Sequence, residues 1–307
     1  MGPDTAELKE IVDGVYAYVQ PDGTWWVNNA GVVTGEGGTL VVDTCATARR
    51  TRRFLGLAAD VTGDAAPRWA VNTHQHGDHA YGNSLLPAST VLIGHEAMRA
   101  ALAVDPLIDA CPPVWSPVPD WGQVTRRLPD VVMRSDLVLY TGGRRLELRH
   151  PGYEAHTPGD VIVWLPEEKV LFAGDLVFNG LTPMMGMGSC AGGLRALAWL
   201  ESLRPDHVIP GHGPVFGGAD VEELFGTIAA YYRLVLETAE AGRRDGLSPL
   251  DAARRCDLGE FAAWPDSERL VLNLHREYAL AEGKGPDLAA ALADAVAYNG
   301  GPMRTSV

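Results

Sequence analysis

The stretch THQHGDH, residues 73–79, places His74, His76, Asp78 and His79 within seven positions. It follows a short apolar run, WAVN, as it would if it stood at the end of a buried strand. Imidazole and carboxylate groups are the ligands that zinc and iron prefer. Packing several of them so closely is unfavourable unless a cation pairs with them. The stretch therefore predicts a metal site that contains these four side chains.

Three later segments supply further ligands of the same kind. His156 lies in AHTPGD, Asp175 ends the apolar run VLFAGD, and His212 lies in VIPGHGP. Each residue falls in or beside a turn that contains glycine or proline, and most follow a short predicted strand. Such turns project side chains from a rigid sheet into a shared cleft at its edge. We therefore expect all of these ligands to converge on one site.

The four segments, in this order, resemble those of the metallo-β-lactamase superfamily, the αβ/βα sandwich hydrolases. Together with the strands between them they cover roughly residues 10 to 216, about two thirds of the chain. The resemblance implies an α/β fold, a four-layer αβ/βα metallo-β-lactamase sandwich with a C-terminal helical extension. We expect the metallo-β-lactamase-like domain to span residues 1–218 and the helical extension, packed on it, to span residues 219–307.

The resemblance also implies a dinuclear metal centre in which each ion keeps an open position for water. One ion would be bound by His74, His76 and His156, the other by Asp78, His79 and His212, and both by Asp175. The expected cofactors are two Zn²⁺ ions, with iron or a mixed Fe/Zn pair as the alternative. Zinc lowers the pKa of bound water to about 7, so a bridging hydroxide is available at neutral pH. Asp78 is the predicted catalytic residue, since it would orient this hydroxide as well as bind metal.

These features predict a metal-dependent hydrolase that cleaves an ester, lactone, thioester or amide bond of a small molecule. A lactonase or esterase fits best, because the tail has no obvious Arg/Lys cluster for glutathione of the kind a glyoxalase-II-like thioesterase would need. A β-lactamase-like amide hydrolase is an alternative, although those enzymes generally lack the bridging carboxylate that Asp175 supplies. The other alternative is an iron-dependent oxidoreductase of the same fold, similar to sulfur dioxygenases.

The composition limits the classes of molecule that the protein is expected to bind. The 307 residues are 46% hydrophobic and carry a formal charge of -14, with no basic stripe. We therefore expect a small-molecule substrate, and neither nucleic acid nor an anionic membrane as a partner. The first ten residues lack the features of a signal peptide, and no apolar run reaches the ~18 residues of a membrane span. Cys45, Cys111, Cys190 and Cys256 are widely separated, which is typical of reduced thiols and predicts a cytoplasmic protein.

The substrate pocket is predicted less directly. Trp25 and Trp26 follow a Pro-Asp-Gly turn near the first strands. The resemblance implies an aromatic flap over the metal site in this region, and the alternative is that both tryptophans belong to the core. Trp115 lies in a long Pro- and Trp-rich loop, residues 105–130, whose length suits a lid. Tyr81, just after the histidine-rich stretch, lines the pocket, donates a proton to a leaving group or packs in the core. We take Trp25, Trp26, Tyr81 and Trp115 as the candidate substrate contacts.

Two further predictions concern positions outside the ligand set. Asp43 ends an apolar strand, and we expect it to hold a ligand in place rather than bind metal. The tail carries apolar residues at helical spacing from Val221 to Arg244, with Asp220 as its cap. Its apolar face packs either on the sandwich or on a neighbouring subunit, so a homodimer stays an alternative.

Overall fold

The computed structural model describes residues 5–20, 22–63 and 66–307. In these residues the strands are β1 (Glu7–Val12), β2 (Val15–Val19), β3 (Ala30–Val33), β4 (Leu40–Val42), β5 (Trp69–Val71), β6 (Val91–His95), β7 (Trp115–Ser116), β8 (Val131–Met133), β9 (Leu137–Thr141), β10 (Arg144–Arg149), β11 (Ile162–Leu165), β12 (Val170–Phe178), β13 (His207–His212), β14 (Phe216–Gly217) and β15 (Met303–Arg304). The α-helices are α1 (Ala48–Thr62), α2 (Gly77–Ala80), α3 (Glu96–Ala103), α4 (Cys190–Ser202), α5 (Asp220–Arg244), α6 (Pro249–Arg255), α7 (Arg269–Ala281) and α8 (Leu288–Asn299).

Two large mixed sheets organise these strands. The first has the order β1-β2-β3-β4-β5-β6-β8, with antiparallel pairs up to β4 and parallel pairs beyond it. The second has the order β14-β13-β12-β11-β10-β9, in which β12 and β13 run parallel and the other neighbours antiparallel. A small third sheet pairs β15 with β7.

Side-chain alternation along the strands stacks the two sheets between helices. On β12, Val170 and Phe172 pack against the first sheet, whereas Leu171 and Ala173 join the helices on the outer side. This period of two is what a strand buried on both faces requires. Helix α1 covers the outer face of the first sheet through Phe54, and α4 covers the second. The resulting four layers confirm the predicted αβ/βα sandwich.

The C-terminal helices form one packed group. Helix α5 packs on α4 and α7, and α7 packs in turn on α6 and α8. The predicted boundary at Gly218 falls between β14 and α5. Apart from β7, the chain between α3 and β8 is irregular, as its proline and tryptophan content predicted. Within the described residues, no helix combines the length and the apolar character needed to cross a membrane.

Candidate metal centre

The seven predicted ligands lie at one edge of the sandwich and come from both sheets. His74 and His76 follow β5 in the first sheet, and Asp78 and His79 lie on the short helix α2. His156 precedes β11, Asp175 lies on β12, and His212 ends β13, all in the second sheet. The two sheets thus bring together residues that are up to 138 positions apart in the chain, counted from His74 to His212.

Asp175 differs in one respect from the sequence-based expectation. It was expected to end its strand, but β12 continues to Phe178. The pairing of β12 with β13 is irregular on both sides of Gly174, which has φ +53°. Such an irregularity bends a strand and re-aims the next side chain. A Cβ atom on Gly211 would collide with Asp175 Oδ1, so glycine on β13 is needed for the carboxylate to reach the centre.

The ligand atoms form two groups. In the first cluster, which consists of His74, His76, His156 and Asp175, all four ligand atoms lie within 4.8 Å of one another. His76 Nδ1 is 3.1 Å from His74 Nε2 and 2.9 Å from His156 Nε2. Three imidazole nitrogens therefore face a common point.

The second cluster consists of Asp78, His79 and His212, again with ligand atoms within 4.8 Å of one another. Asp78 Oδ2 is 3.2 Å from His212 Nε2 and 3.8 Å from His79 Nε2. Asp175 lies between the two clusters. Its Oδ1 is 3.1 Å from His79 Nε2, and its Oδ2 is 3.4 Å from the Nε2 atoms of both His156 and His212. One carboxylate thus faces both groups of imidazoles.

Hydrogen bonds on the outer side fix the tautomers of three histidines. His79 Nδ1 donates to Asp43 Oδ2 at 2.8 Å, and His212 Nδ1 donates to the Gly23 carbonyl oxygen at 2.9 Å. Thr73 Oγ1 donates to Asp43 Oδ2 and so accepts from His74 Nδ1 at 3.0 Å. Each Nε2 atom is therefore the ring nitrogen that faces the clusters, where a cation can take the place of a proton.

Asp43 is the residue that joins these outer contacts. Its Oδ1 also accepts a hydrogen bond from the Thr73 backbone N–H at 2.7 Å. The residue has φ +60°, in the left-handed region that aspartate tolerates better than most residues. Through Thr73 and His79 this one buried carboxylate orients a ligand of each cluster.

The electrostatics of the clusters suit bound cations. Burial lowers the pKa of His74 well below its usual value and that of His156 to about 3, so both are neutral donors. At His212 burial also acts to lower the pKa, but the carboxylates of Asp175 and Asp78 outweigh it and raise the pKa to about 9. His79 Nε2 and Asp175 Oδ1 are buried and lie 3.1 Å apart as an ion pair, but neither has a partner in hydrogen-bond geometry. Such groups are costly unless a charged partner compensates them, so the donor set fits metal ions.

A cavity of about 300 Å³ opens above the clusters. His76, Asp78, Asp175 and His212 line its floor. All four candidate substrate contacts, Trp25, Trp26, Tyr81 and Trp115, line its sides. The rings of Trp26 and Trp115 pack edge to face at 5.0 Å, and Trp26 stacks on Tyr81 at 6.2 Å. Each side chain of the Trp25-Trp26 pair is 7% exposed and also faces the cavity.

Tyr81 forms a fixed part of this cavity. Its hydroxyl donates a hydrogen bond to Asp105 Oδ2 at 2.7 Å, and burial raises the pKa of the phenol far above its usual value. The phenol therefore keeps its proton, which is engaged in the hydrogen bond to Asp105. The Tyr81 ring forms a surface of the cavity beside the two clusters.

Other cavity residues carry no motif in the sequence. They come from the end of β12, the loop after it and the C-terminal helices, and include Phe178, Met184, Met187, Arg269, Leu272, Leu288 and Leu292. The spacing of Leu288 and Leu292, four apart on α8, indicates a helix face that is buried. It does not indicate what that face covers, and here both side chains face the cavity above the clusters.

Known proteins share both the sequence pattern and the fold of this chain. Residues 23–212 match the model of the metallo-β-lactamase superfamily. The chain is 27% identical over 245 residues to an acyl-coenzyme A thioesterase, MBLAC2, of Homo sapiens, an alignment covering 68% of this chain and 84% of that protein. The chicken (Gallus gallus) protein of the same name is 29% identical over 222 residues, covering 64% and 76% respectively.

Solved structures show the same fold. The sec-alkylsulfatase Pisa1 from a Pseudomonas species superposes with a TM-score of 0.71 at 19% identity, covering 93% of this chain and 51% of that one. A metallo-β-lactamase family protein from Thermus thermophilus gives a TM-score of 0.67 at 21% identity, covering 89% and 95%. The match of the family model spans well over half of the sequence. The chain belongs to the metallo-β-lactamase superfamily.

Proposed function

We propose that this protein is a dinuclear metal-dependent hydrolase that cleaves an ester or thioester bond of a small, largely apolar molecule. One observation carries the proposal: the metal-ligand clusters form the floor of a 300 Å³ cavity whose sides are mostly apolar. That volume is at the lower end of the range for small-molecule sites. The curated relatives named as thioesterases support acyl-group hydrolysis as the reaction class.

The residues that would hold the ions are those of the two clusters. His74, His76 and His156 would hold one ion, Asp78, His79 and His212 the other, and Asp175 would contact both. When bound, zinc or a similar ion supplies Lewis acidity and a hydroxide near neutral pH. The set of imidazoles and carboxylates suits zinc, and it also suits iron.

The chain itself positions the substrate. The indoles of Trp25, Trp26 and Trp115 provide a rigid apolar surface that binds the hydrocarbon part and displaces water from the site. Asp78 lies on the cavity floor and can accept a hydrogen bond from the attacking water, which would orient it towards the carbonyl carbon. Binding energy at the side walls thus fixes the scissile bond above the clusters.

The charge of the cavity favours a compact substrate over a coenzyme A ester. Among the described residues that line it, Arg269 is the one arginine or lysine. Its guanidinium is buried, ion-paired with Asp266 at 2.9 Å, and donates to the Thr182 carbonyl oxygen at 3.0 Å. Asp105 adds a carboxylate to the lining. These groups supply no free positive charge that could bind the phosphates of coenzyme A. We therefore propose that this chain shares thioester hydrolysis with its relatives, but that its substrate does not carry coenzyme A.

The proposal predicts both metal content and activity. Purified protein should carry about two ions per chain, mainly zinc, and hydrolyse short p-nitrophenyl esters or N-acetylcysteamine thioesters. His76→Ala removes the imidazole that contacts both His74 and His156. We expect this variant to lose at least one ion and its rate to fall by roughly 100-fold or more, above the 10- to 100-fold typical of losing an outer partner of a ligand. Elemental analysis and initial rates measure the two effects.

His207→Ala is the matched control, because His207 lies at the start of the same strand that ends in His212, remote from the clusters. It should keep both ions and the activity. Full metal content and turnover in His76→Ala would contradict the site assignment. Iron-loaded protein that consumes oxygen and hydrolyses none of these substrates would contradict the proposed function.

A further inference from the structure

The C-terminal strand is built into the cavity wall. Strand β15 runs parallel to β7, with Met303 opposite Trp115 and Arg304 opposite Ser116. The next residue, Thr305, forms a bridge with Trp25. Two of the tryptophans that line the cavity are thus backbone neighbours of the same three-residue segment, although Trp25 is 280 residues away from Thr305 in the chain.

Thr305 holds the Trp25 loop through its side chain. Its Oγ1 donates to the Trp25 carbonyl oxygen at 2.5 Å, and the residue is 4% exposed. Thr24 Oγ1 lies 3.3 Å from the Arg304 carbonyl oxygen. On the other side, the Met303 backbone N–H donates to the Val114 carbonyl oxygen at 2.8 Å. The strand therefore connects the loop that carries Trp25 with the loop that carries Trp115.

Trp25 is fixed at its far edge as well. Its Nε1 donates to Glu268 Oε1 at 2.7 Å, and the Arg269 guanidinium lies 4.6 Å from its ring centroid. The rings of Trp25 and Trp115 meet edge to face at 5.6 Å. An indole held by its backbone, its ring nitrogen and its neighbouring side chains has one available position, and a surface with one shape discriminates among ligands.

We propose that Thr305, through β15, is a positioning residue that sets the selectivity of the cavity for the length of an apolar acyl group. The inference rests on the proposed function. Thr305 touches neither the clusters nor the cavity, and acts by fixing Trp25 and Trp115. The reaction centre on the floor of the cavity does not depend on it.

Thr305→Val keeps the shape and removes the hydroxyl, whereas Thr305→Ser keeps the hydroxyl. For p-nitrophenyl octanoate we expect the valine variant to raise KM about five- to tenfold, the size of one lost hydrogen bond, with kcat within about twofold. For the acetate ester neither constant should change, because that acyl group is too short to reach the wall. The serine variant should restore the octanoate KM.

Binding of 2-decanone, an unreactive apolar ketone, provides a readout that needs no turnover. Calorimetry should show the same five- to tenfold weakening in Thr305→Val, with unchanged metal content, and no weakening in the control Ser306→Ala. Equal losses on both esters, or loss of metal, would show a merely structural role and overturn the inference. A Thr305→Val variant with the same octanoate KM and the same affinity for the ketone as the wild type would also overturn the inference. If the wild type binds the ketone and Thr305→Val weakens this binding, but the wild type hydrolyses neither ester, the proposed function fails while the role of Thr305 in positioning the apolar wall is supported.

Discussion

Asp175→Asn should lose at least one of the bound ions and lower the hydrolytic rate by roughly 100-fold or more, beyond the effect typical of an outer partner. The substitution keeps the shape of the side chain but removes the negative charge that Asp175 places between the clusters. The Nε2 atoms of His79, His156 and His212 lie 3.1–3.4 Å from its oxygens. An amide in this place would offer one weaker acceptor and a donor where cations are expected, so both clusters lose affinity.

Thermal unfolding gives a second readout of the same change. A ligand present at 100 times its Kd stabilises the folded state by about 2.7 kcal/mol. At about 2 °C per kcal/mol for a chain of this size, chelation should lower the Tm of the wild type by about 5 °C. The Tm of Asp175→Asn should respond much less, because less metal is bound at the start.

The matched control is Glu147→Gln. Glu147 is also a buried carboxylate in the second sheet, where it pairs with Arg145 at 2.7 Å and with Arg149. This variant should lower the Tm without changing metal content. If Asp175→Asn keeps both ions and wild-type turnover, the carboxylate is not shared between them and the ligand assignment is wrong.

Asp43→Asn should weaken metal binding about 10- to 100-fold, although every predicted ligand residue is still present in the chain. The carboxylate accepts from Thr73 Oγ1 and His79 Nδ1 through the same oxygen, Oδ2. An amide can accept through one oxygen only, so either the Thr73 backbone N–H or the pair of side-chain donors meets an N–H₂ group. The imidazoles of His79 and His74 then lose their fixed orientation.

This effect is distinguished from that of Asp175→Asn by titration. Added zinc should restore most of the activity of Asp43→Asn, because its ligands are intact, and should restore little in Asp175→Asn. Asp130→Asn serves as the control, since Asp130 likewise accepts a hydrogen bond from a backbone N–H, that of Leu92, but lies away from the clusters. Equal zinc affinity in Asp43→Asn and the wild type would show that His79 and His74 are oriented by other means.

The four short motifs, through their resemblance to a known superfamily, were sufficient to predict the fold, and the structure brings the seven residues named from them together in two clusters. A motif such as THQHGDH places ligands side by side in the chain, and an apolar run before it places them at a strand end. Asp43 was accessible by the same reasoning, because it too follows a buried strand. The types of the ligand side chains and the alternation of apolar residues both occur within short stretches of sequence, so they can be recognised without knowledge of the tertiary structure.

Most of the residues that form the sides of the cavity could not be predicted from short sequence patterns. Leu272 and Leu292 are ordinary apolar residues of the C-terminal helices, and only the packing of α7 and α8 beside the clusters makes them cavity residues. The contact between Thr305 and Trp25 joins residues with no shared pattern. Asp175 was expected at a strand end, because the irregular pairing around Gly174 depends on β13, far along the chain. Such pairings are decided by tertiary structure.

The division of the ligands between the two sheets has a consequence for how the protein assembles. His74, His76 and His79 come from the first sheet, whereas His156, Asp175 and His212 come from the second. Neither half alone can offer an ion a complete set of donors. We therefore expect the ions to enter late, after the two halves have docked, and then to hold the seam between them closed. In the metal-depleted protein the contact between the two sheets should open before either sheet does. Protection from amide hydrogen exchange should then fail first at the backbone N–H groups bonded across that contact, which include Val161 N–H to the Thr73 carbonyl oxygen and Asn29 N–H to the Gly211 carbonyl oxygen, both at 2.7 Å.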